Sequence, residues 1–495
     1  MSVATAKGTP RFGALRRAVR RVPAACAACA AIGFAHAALW AVVTPPFQVP
    51  DEPAHIGYAQ YLAETGKVPS GKGDPYAGEQ LAALQWVPFD IETKPSWFRS
   101  DRRRLFRVLD NPSLTRSSPN EASVATNYPP LYYALEAIPY RIAYGANFLD
   151  RVFFMRLMSA LIAGLTVAFV FFFLRELLPG TRWAWTVGAL AVAFQPMVGF
   201  LGGGVTPDNL LFATSAALIW LLARAFRVGL TAPLGGAIGV AAAAGVLTKQ
   251  TMFGLLPGAA LGLALMVWRA PPERRRDAVR GVVLAGLVLV VPFGLWLAAS
   301  HGLYDRINSS VSAGFTNAEA GTNTSLKGQL VYLWQVVFPP LPGMTEQAPN
   351  NIVWKVYVQG FIGRFGWFQF EFQQWVYWLG LGVLVSIAGL AAAALARGRA
   401  ALRSRWPEAL TYAAIAAGLF LFVEVAAYRY RTNSGQFFEQ ARYLLPLLPF
   451  YAAVVALAAR AVGRRWGPAL GAFMVVLFMG HSLFAIFLSI SRWYA

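Results

Sequence analysis

The sequence predicts an all-α polytopic membrane protein, and three observations carry that prediction. First, 57% of the 495 residues are hydrophobic and 13% are charged, against roughly 25% charged in soluble domains. Mean hydropathy is +0.48. Second, apolar runs of about 18 or more residues recur, the length a helix needs to cross a bilayer. They are too long and continuous for barrel strands, and lipid admits only helices and closed barrels. Third, the basic residues are unevenly distributed. Short segments between apolar runs, such as "WRAPPERRRDAVRG" and "LARGRAALRSRW", together with the N-terminus, hold 22 of the 43 Lys and Arg but four of the 23 acids. That asymmetry sets orientation in a membrane, with the basic loops inside. It is a membrane signature and excludes a nucleic-acid reading of the +20 net charge.

Taken in order, residues 1–25 form a basic cytoplasmic N-terminus, and 26–43 the first transmembrane helix. The pair resembles a signal sequence, but the spans behind it favour an uncleaved anchor. Cys26 and Cys29 make a CxxC inside that span. Without partner ligands, small-residue helix packing explains them better than redox or metal chemistry. Residues 44–150 form a large outer loop that holds 12 of the 23 acids. A transmembrane core follows over 151–300, a second outer loop over 301–375, and C-terminal transmembrane helices over 376–495. Spans are expected near 26–43, 152–174, 183–203, 208–226, 232–247, 251–268, 280–300, 376–396, 408–428, 441–462 and 467–490. That makes about eleven spans, with the N-terminus inside and the C-terminus outside. The stretch Leu131–Gly145 is expected to lie on the outer interface with its tyrosines at headgroup depth, because a span there would turn the arginine clusters outward.

With that topology, unusual polar residues from distant stretches fall on one face. "PPFQVPDEPAH" places Asp51, Glu52 and His55 there, at the mouth of the first span. "NYPPLYY" contributes Tyr128. "GGGVTPDNLL" contributes Asp208 and Asn209, and "GVLTKQTMFGLLP" contributes Lys249 in a tight turn. "FIGRFGWF" contributes Arg364, and "GQFFEQARYLLPLLP" contributes Glu439, Arg442 and Tyr443. Simpler roles exist for each. Asp51 and Asp208 stand at helix starts, where a carboxylate can cap free N–H groups. Lys249 can snorkel, and Glu424 can pair with Arg429 or Arg431. Together, the group suits a reaction on a lipid phosphate: cations hold the phosphate and a carboxylate takes a proton from a hydroxyl acceptor. A second carboxylate could bind a divalent ion, although the chemistry does not require one. The cofactor is therefore open.

"PDEPAHIGYAQYLAETGKVP" resembles the Asp-Glu segment in the first outer loop of GT-C glycosyltransferases, such as the aminoarabinose transferase and protein O-mannosyltransferase group. "NYPPLYYAL", "VTPDNLL" and "LTKQTMFGLLP" resemble later segments of that superfamily in the same order. "FIGRFGW" and "QARYLLPLLP" are similar to bacterial membrane families near these enzymes. The resemblance implies a GT-C-type fold, a polyprenyl-phosphate sugar donor, and inverting transfer to a glycan, lipid or protein hydroxyl on the outer face of the inner (plasma) membrane. It implies Asp51 as catalytic base with Glu52 beside it, and Lys249, Arg442 and Tyr443 at donor-phosphate positions. His55, Tyr128, Asp208, Asn209, Arg364 and Glu439 are candidates for the substrate site. Tyr128 stands where many relatives have histidine, so that histidine's role does not transfer. The competing readings are a transporter or flippase of a lipid-linked glycan, and a non-catalytic assembly partner. A transporter should gather polar residues at midplane in repeated halves, whereas here they gather at one face.

The local pattern also predicts a short amphipathic helix lying on the membrane after Asp51. Pro53 suits its first turn and Gly66 its stop, and Ala54, Tyr58, Tyr61 and Leu62 share one face.

Overall fold

The computed structural model describes residues 22–69, 76–86, 99–111, 113–116, 125, 128–299, 325–348, 351–367, 370–434 and 439–494. The basic stretch 1–21 and the middle parts of both outer segments lie outside the described residues.

Among the described residues nine helices are long and apolar enough to cross a membrane. They are Ala24–Val43, Phe148–Leu177, Asp208–Val228, Gln250–Arg269, Pro272–Ala299, Gln374–Arg397, Trp406–Thr432, Ala441–Arg460 and Gly463–Trp493. Each coincides with an expected span. The two remaining segments differ from a plain span, and both differences shape the site. Residues 183–203 are a pair of helices, Arg182–Ala193 and Pro196–Gly202, bent by 60°. Pro196 cannot donate to the preceding turn. Gln195 re-caps the second half by accepting from Val198 N at 2.8 Å, and it donates to Phe361 O at 2.6 Å. The second half then packs Gly203 so closely on the first span that a Cβ there would lie 2.5 Å from Ala41 N.

The other is Ala232–Val246, an apolar helix of 15 residues. At ~1.5 Å per residue it is shorter than a hydrocarbon core of ~30 Å. Its terminal turn, Leu247–Lys249, therefore stays inside the bundle, where Leu247 O accepts from Leu131 N at 3.2 Å.

The arginine-rich loops collect at one end of the bundle, where Glu176 receives Arg224 and Arg227 at 3.0 Å each. Cys26 and Cys29 are buried free thiols in the first span, and Gly33 of that helix meets Val167 of Phe148–Leu177 at close range.

Two expectations for the outer segment change. The helix after Asp51, Glu52–Thr65, does not bury one face alone. Ile56, Tyr58, Ala59 and Tyr61 are all buried, on more than one face. It packs against Leu131–Ile142 and forms its own cluster with Phe47, Tyr132 and Tyr133. Its ends are as expected: Pro53 stands in the first turn, and Gly66 adopts φ 70° with its N–H on Leu62 O. Leu131–Ile142 has 12 residues and contains Pro139, too short to span. Of the tyrosines in the stretch Leu131–Gly145, Tyr144 is exposed. Tyr132, Tyr133 and Tyr140 turn inward and are buried, leaving Ile138 and Ile142 exposed.

Candidate functional site

Four charged side chains from four segments meet at the end of the bundle opposite the arginine-rich loops. Arg442 Nη2 lies 2.6 Å from Asp51 Oδ2, and Arg442 Nε stands 3.7 Å from Asp208 Oδ2. Lys249 Nζ lies 2.5 Å from Asp208 Oδ1. The helix bend, the short helix with its Lys249 turn, and the 3-10 turn Ala441–Leu447 bring these residues inward. Capping does not explain either aspartate, since neither side chain makes a capping bond at its helix start. Lys249 does not snorkel, for it is buried.

Aromatic faces complete the cluster. Lys249 Nζ lies 5.7 Å from the ring centre of Tyr128 and 5.2 Å from that of Tyr443, and the Arg442 guanidinium lies 5.4 Å from Tyr443. Cations over ring faces gain electrostatic attraction where water is excluded. His55 Nδ1 is 2.9 Å from Tyr133 OH, and its ring meets Tyr128 edge-on. Tyr58 stacks on Tyr133 and donates to Tyr128 O. A rigid aromatic wall therefore fixes one side of the site.

Exposure separates the members. The side chains of Arg442, Asp208 and Lys249 are buried, whereas that of Asp51 is 44% exposed. Two buried Arg442 N–H groups, Nε and Nη1, make no hydrogen bond among the described residues. Burial pushes the Asp51 carboxyl up, but Arg442, with His55 and Lys249, outweighs it and leaves the group below its ordinary value. Burial takes His55 down to about 4, so its imidazole is neutral at pH 7. Burial also lowers Lys249, while Asp208 works against that.

Asp51 adopts a left-handed backbone, φ 63°, as does Phe47 with φ 69°. Non-glycine residues rarely do so, although Asp tolerates it better than most. The neighbouring carboxylate holds this geometry. Glu52 is fully buried, and both oxygens are taken. Arg156 grips them at 2.8 and 2.6 Å, while Phe47 N and Val205 N donate at 2.8 and 3.1 Å. Arg156 also donates to Ala41 O, Thr44 O and Pro45 O, closing the carbonyls at the end of the first span. A second buried pair, Arg151–Glu79 at 2.5 Å, ties the Gly78–Trp86 helix to Phe148–Leu177. Sequence reasoning passed over Arg151 and Arg156. The available signal was two arginines at the head of an apolar span, a position where intramembrane charge points to a partner.

Of the expected residues, the geometry joins Asp51, Tyr128, Asp208, Lys249, Arg442 and Tyr443, with His55 at the edge. The others have different settings. Glu52 faces Arg156 rather than the opening. Asn209 donates to Leu201 O and Gly204 O at 3.0 and 3.1 Å, fastening the glycine turn. Arg364 sits on a two-stranded hairpin, where it pairs with Glu371 and donates to Lys355 O. Trp367 Nε1, in the turn of this hairpin, donates to Phe47 O of the motif at 3.1 Å. Glu439 accepts from Tyr332 OH of the second outer segment. Glu424 takes the Tyr357 hydroxyl.

No curated protein matches the chain. Among solved structures, it is similar to ArnT from Cupriavidus metallidurans, with 14% identity and a TM-score of 0.46 over 85% of this chain and 57% of that one. It is also similar to the oligosaccharyltransferase of Archaeoglobus fulgidus, with 12% identity and a TM-score of 0.44 over 95% and 56%. The chain thus spans little more than half the length of these solved proteins, and likeness at this level carries no argument about activity. A family model described as Predicted membrane protein (DUF2142) matches residues 34–451. That match contains the whole cluster from Asp51 to Tyr443, and the chain belongs to this family.

Proposed function

We propose that the protein transfers a sugar from a polyprenyl-phosphate donor to a hydroxyl acceptor, with Asp51 as general base, in the manner of the GT-C glycosyltransferases that its motifs resemble. One observation carries the reading: Asp51 is the one acid of the cluster open to solvent, and it is held ionised beside a buried arginine with spare N–H groups. In this reading the acceptor hydroxyl gives its proton to Asp51 as its oxygen attacks the anomeric carbon. The bond from that carbon to the phosphate oxygen breaks, and the prenyl phosphate leaves with the electron pair. A single displacement inverts the anomeric centre. Arg442 and Lys249 receive the growing phosphate charge, in a site whose buried walls strengthen that interaction. A phosphate leaving group needs no acid, so one base and two cations suffice.

Glu52 and Arg156 act as positioning residues that hold Asp51 in its strained conformation. The site lies at the bundle end assigned to the outer face by the placement of the basic loops. The test is incubation of the purified chain with a panel of polyprenyl-phosphate sugars and hydroxyl acceptors, reading prenyl-phosphate release. Release by the wild type and none by Asp51→Asn supports the proposal. Movement of an intact donor across a vesicle membrane without cleavage would overturn it in favour of a flippase.

A further inference from the structure

At the opposite, arginine-rich end of the bundle lies a groove of about 750 Å³ that the site above does not use. It is walled by the ends of helices Phe148–Leu177, Gln374–Arg397, Trp406–Ser434 and Leu448–Arg460. Its wall is largely apolar, with Leu395, Tyr412, Phe450, Val454 and Leu457. Its mouth carries Arg397, Arg405 and Arg460 against one carboxylate, Glu408.

Those three arginines are not equivalent. Arg405 grips Glu408 through two bonds at 2.6 and 2.7 Å and spends its third on Leu177 O at 2.9 Å. Tyr412 OH also donates to Glu408. Arg405 and Glu408 are thus a closed, neutral pair that shapes the wall. Arg397 donates only its Nε, to Ala393 O. Arg460 makes no hydrogen bond or ion pair among the described residues. Both are exposed. Two guanidinium groups without counter-charge therefore stand at the rim of an apolar slot.

The slot opens sideways toward lipid, because Leu395 and Val454, which line it, are exposed apolar side chains on helices apolar enough to span. A water-borne anion would have no use for the apolar wall, and a neutral lipid none for the cations. We infer that this groove is a binding site for an anionic glycerophospholipid of the adjoining leaflet, with its phosphate on Arg397 and Arg460 and an acyl chain along Phe450, Val454 and Leu457. The volume is that of a ligand pocket, and guanidinium groups match a phosphate in fork geometry. Headgroup charge in that leaflet also favours arginine at this depth. The site is independent of the transferase reading and stands or falls separately from it.

Native mass spectrometry of the purified full chain tests it, titrating phosphatidylglycerol against phosphatidylcholine with the same acyl chains. The wild type should retain phosphatidylglycerol at concentrations roughly tenfold lower than phosphatidylcholine. Glycerophosphate alone should not be retained. Arg397→Gln with Arg460→Gln should abolish the preference, and Val454→Trp, which fills the slot at an exposed position, should weaken retention while keeping both charges. Arg274→Gln with Arg276→Gln, which removes the same charge outside the groove, should change nothing. Equal binding of the two lipids, or an unaltered preference in the Arg397/Arg460 variant, would overturn the site. Equal loss in the Arg274/Arg276 variant would reduce it to diffuse attraction and overturn it as well.

Discussion

Arg442 Nη2 lies 2.6 Å from Asp51 Oδ2, although 391 residues of sequence separate them. This contact orients the proposed base and sets its charge. Asp51→Asn removes the carboxylate while keeping a side chain that tolerates the left-handed backbone. Turnover should fall by about 10²–10⁴-fold, the usual contribution of a positioned base. Because the Asp51 side chain is 44% exposed, the amount of folded protein should be unchanged. Wild-type turnover in a folded variant would remove Asp51 as the base.

The same contact predicts a pH response. A carboxyl held below its ordinary value of 3.8 contributes stability and basicity above that value and loses both as pH falls through its folded pKa. In Arg442→Gln, burial acts on Asp51 with less opposition, so its pKa rises. The acid limb of kcat/KM should therefore move to higher pH, alongside a raised KM for the donor. An acid limb at the same pH in both proteins would show that Arg442 does not set the charge of the base.

Glu52 tests the division of labour between adjacent acids. Its two oxygens are taken by Arg156 and two backbone N–H groups. Arg156→Met should strand a buried carboxylate at a cost of about 3–5 kcal/mol and deplete folded protein. Glu52→Gln keeps the shape and part of the bonding, so it should lower thermal stability but retain substantial turnover per folded molecule. A Glu52→Gln protein as stable as wild type yet as inactive as Asp51→Asn would make Glu52 a direct participant.

Glu136 lies on the Leu131–Ile142 helix, fully buried, and accepts from Ser159 Oγ at 2.7 Å. Burial pushes it up to about 8. The folded state then binds a proton that the unfolded chain releases above the ordinary value of 4.5. Stability should fall as pH rises from there through about 8. Thermal melts in detergent at pH 6 and pH 9 should show that loss in the wild type and much less of it in Glu136→Gln. Parallel losses in both proteins would assign the pH response elsewhere.

Much of this architecture is legible in the chain because lipid imposes a simple rule: spans must be long, apolar and helical. All the expected spans are helical for that reason, and the basic loops collect at one end. What escaped was set by long-range partners. Nothing local in "PDEPAH" says that Glu52 faces Arg156 and Asp51 faces Arg442, since the two partners are 104 and 391 residues away. Side-chain direction in a single helix says which face a residue takes, and it leaves open what covers that face. Hence the motif helix read as amphipathic is buried on several sides, and Asn209, Arg364 and Glu439 bond elsewhere than in the cluster. The break at Gln195–Pro196 was visible as a proline in an apolar run. Its consequence, a glycine turn pressed against the first span, was not.

The Asp208–Lys249 pair gives the last prediction. Both side chains are buried, and Nζ lies 2.5 Å from Oδ1. Removing Lys249 leaves Asp208 and Asp51 to share Arg442, whose Nε is 3.7 Å from Asp208 Oδ2, so Lys249→Met should cost up to about 3–5 kcal/mol. Asp208→Asn combined with Lys249→Met should recover much of that stability, because no lone charge remains. Activity should not recover with it, since the proposed phosphate site has lost a cation. The ammonium also occupies the approach to Asp208, so a divalent ion there would have to displace it. Prenyl-phosphate release should therefore persist in EDTA. Suppression by EDTA, restored by adding back a divalent ion, would mean that Asp208 exchanges Lys249 for metal during turnover. Activity that returned together with stability in the double variant would instead make the pair a purely structural tie.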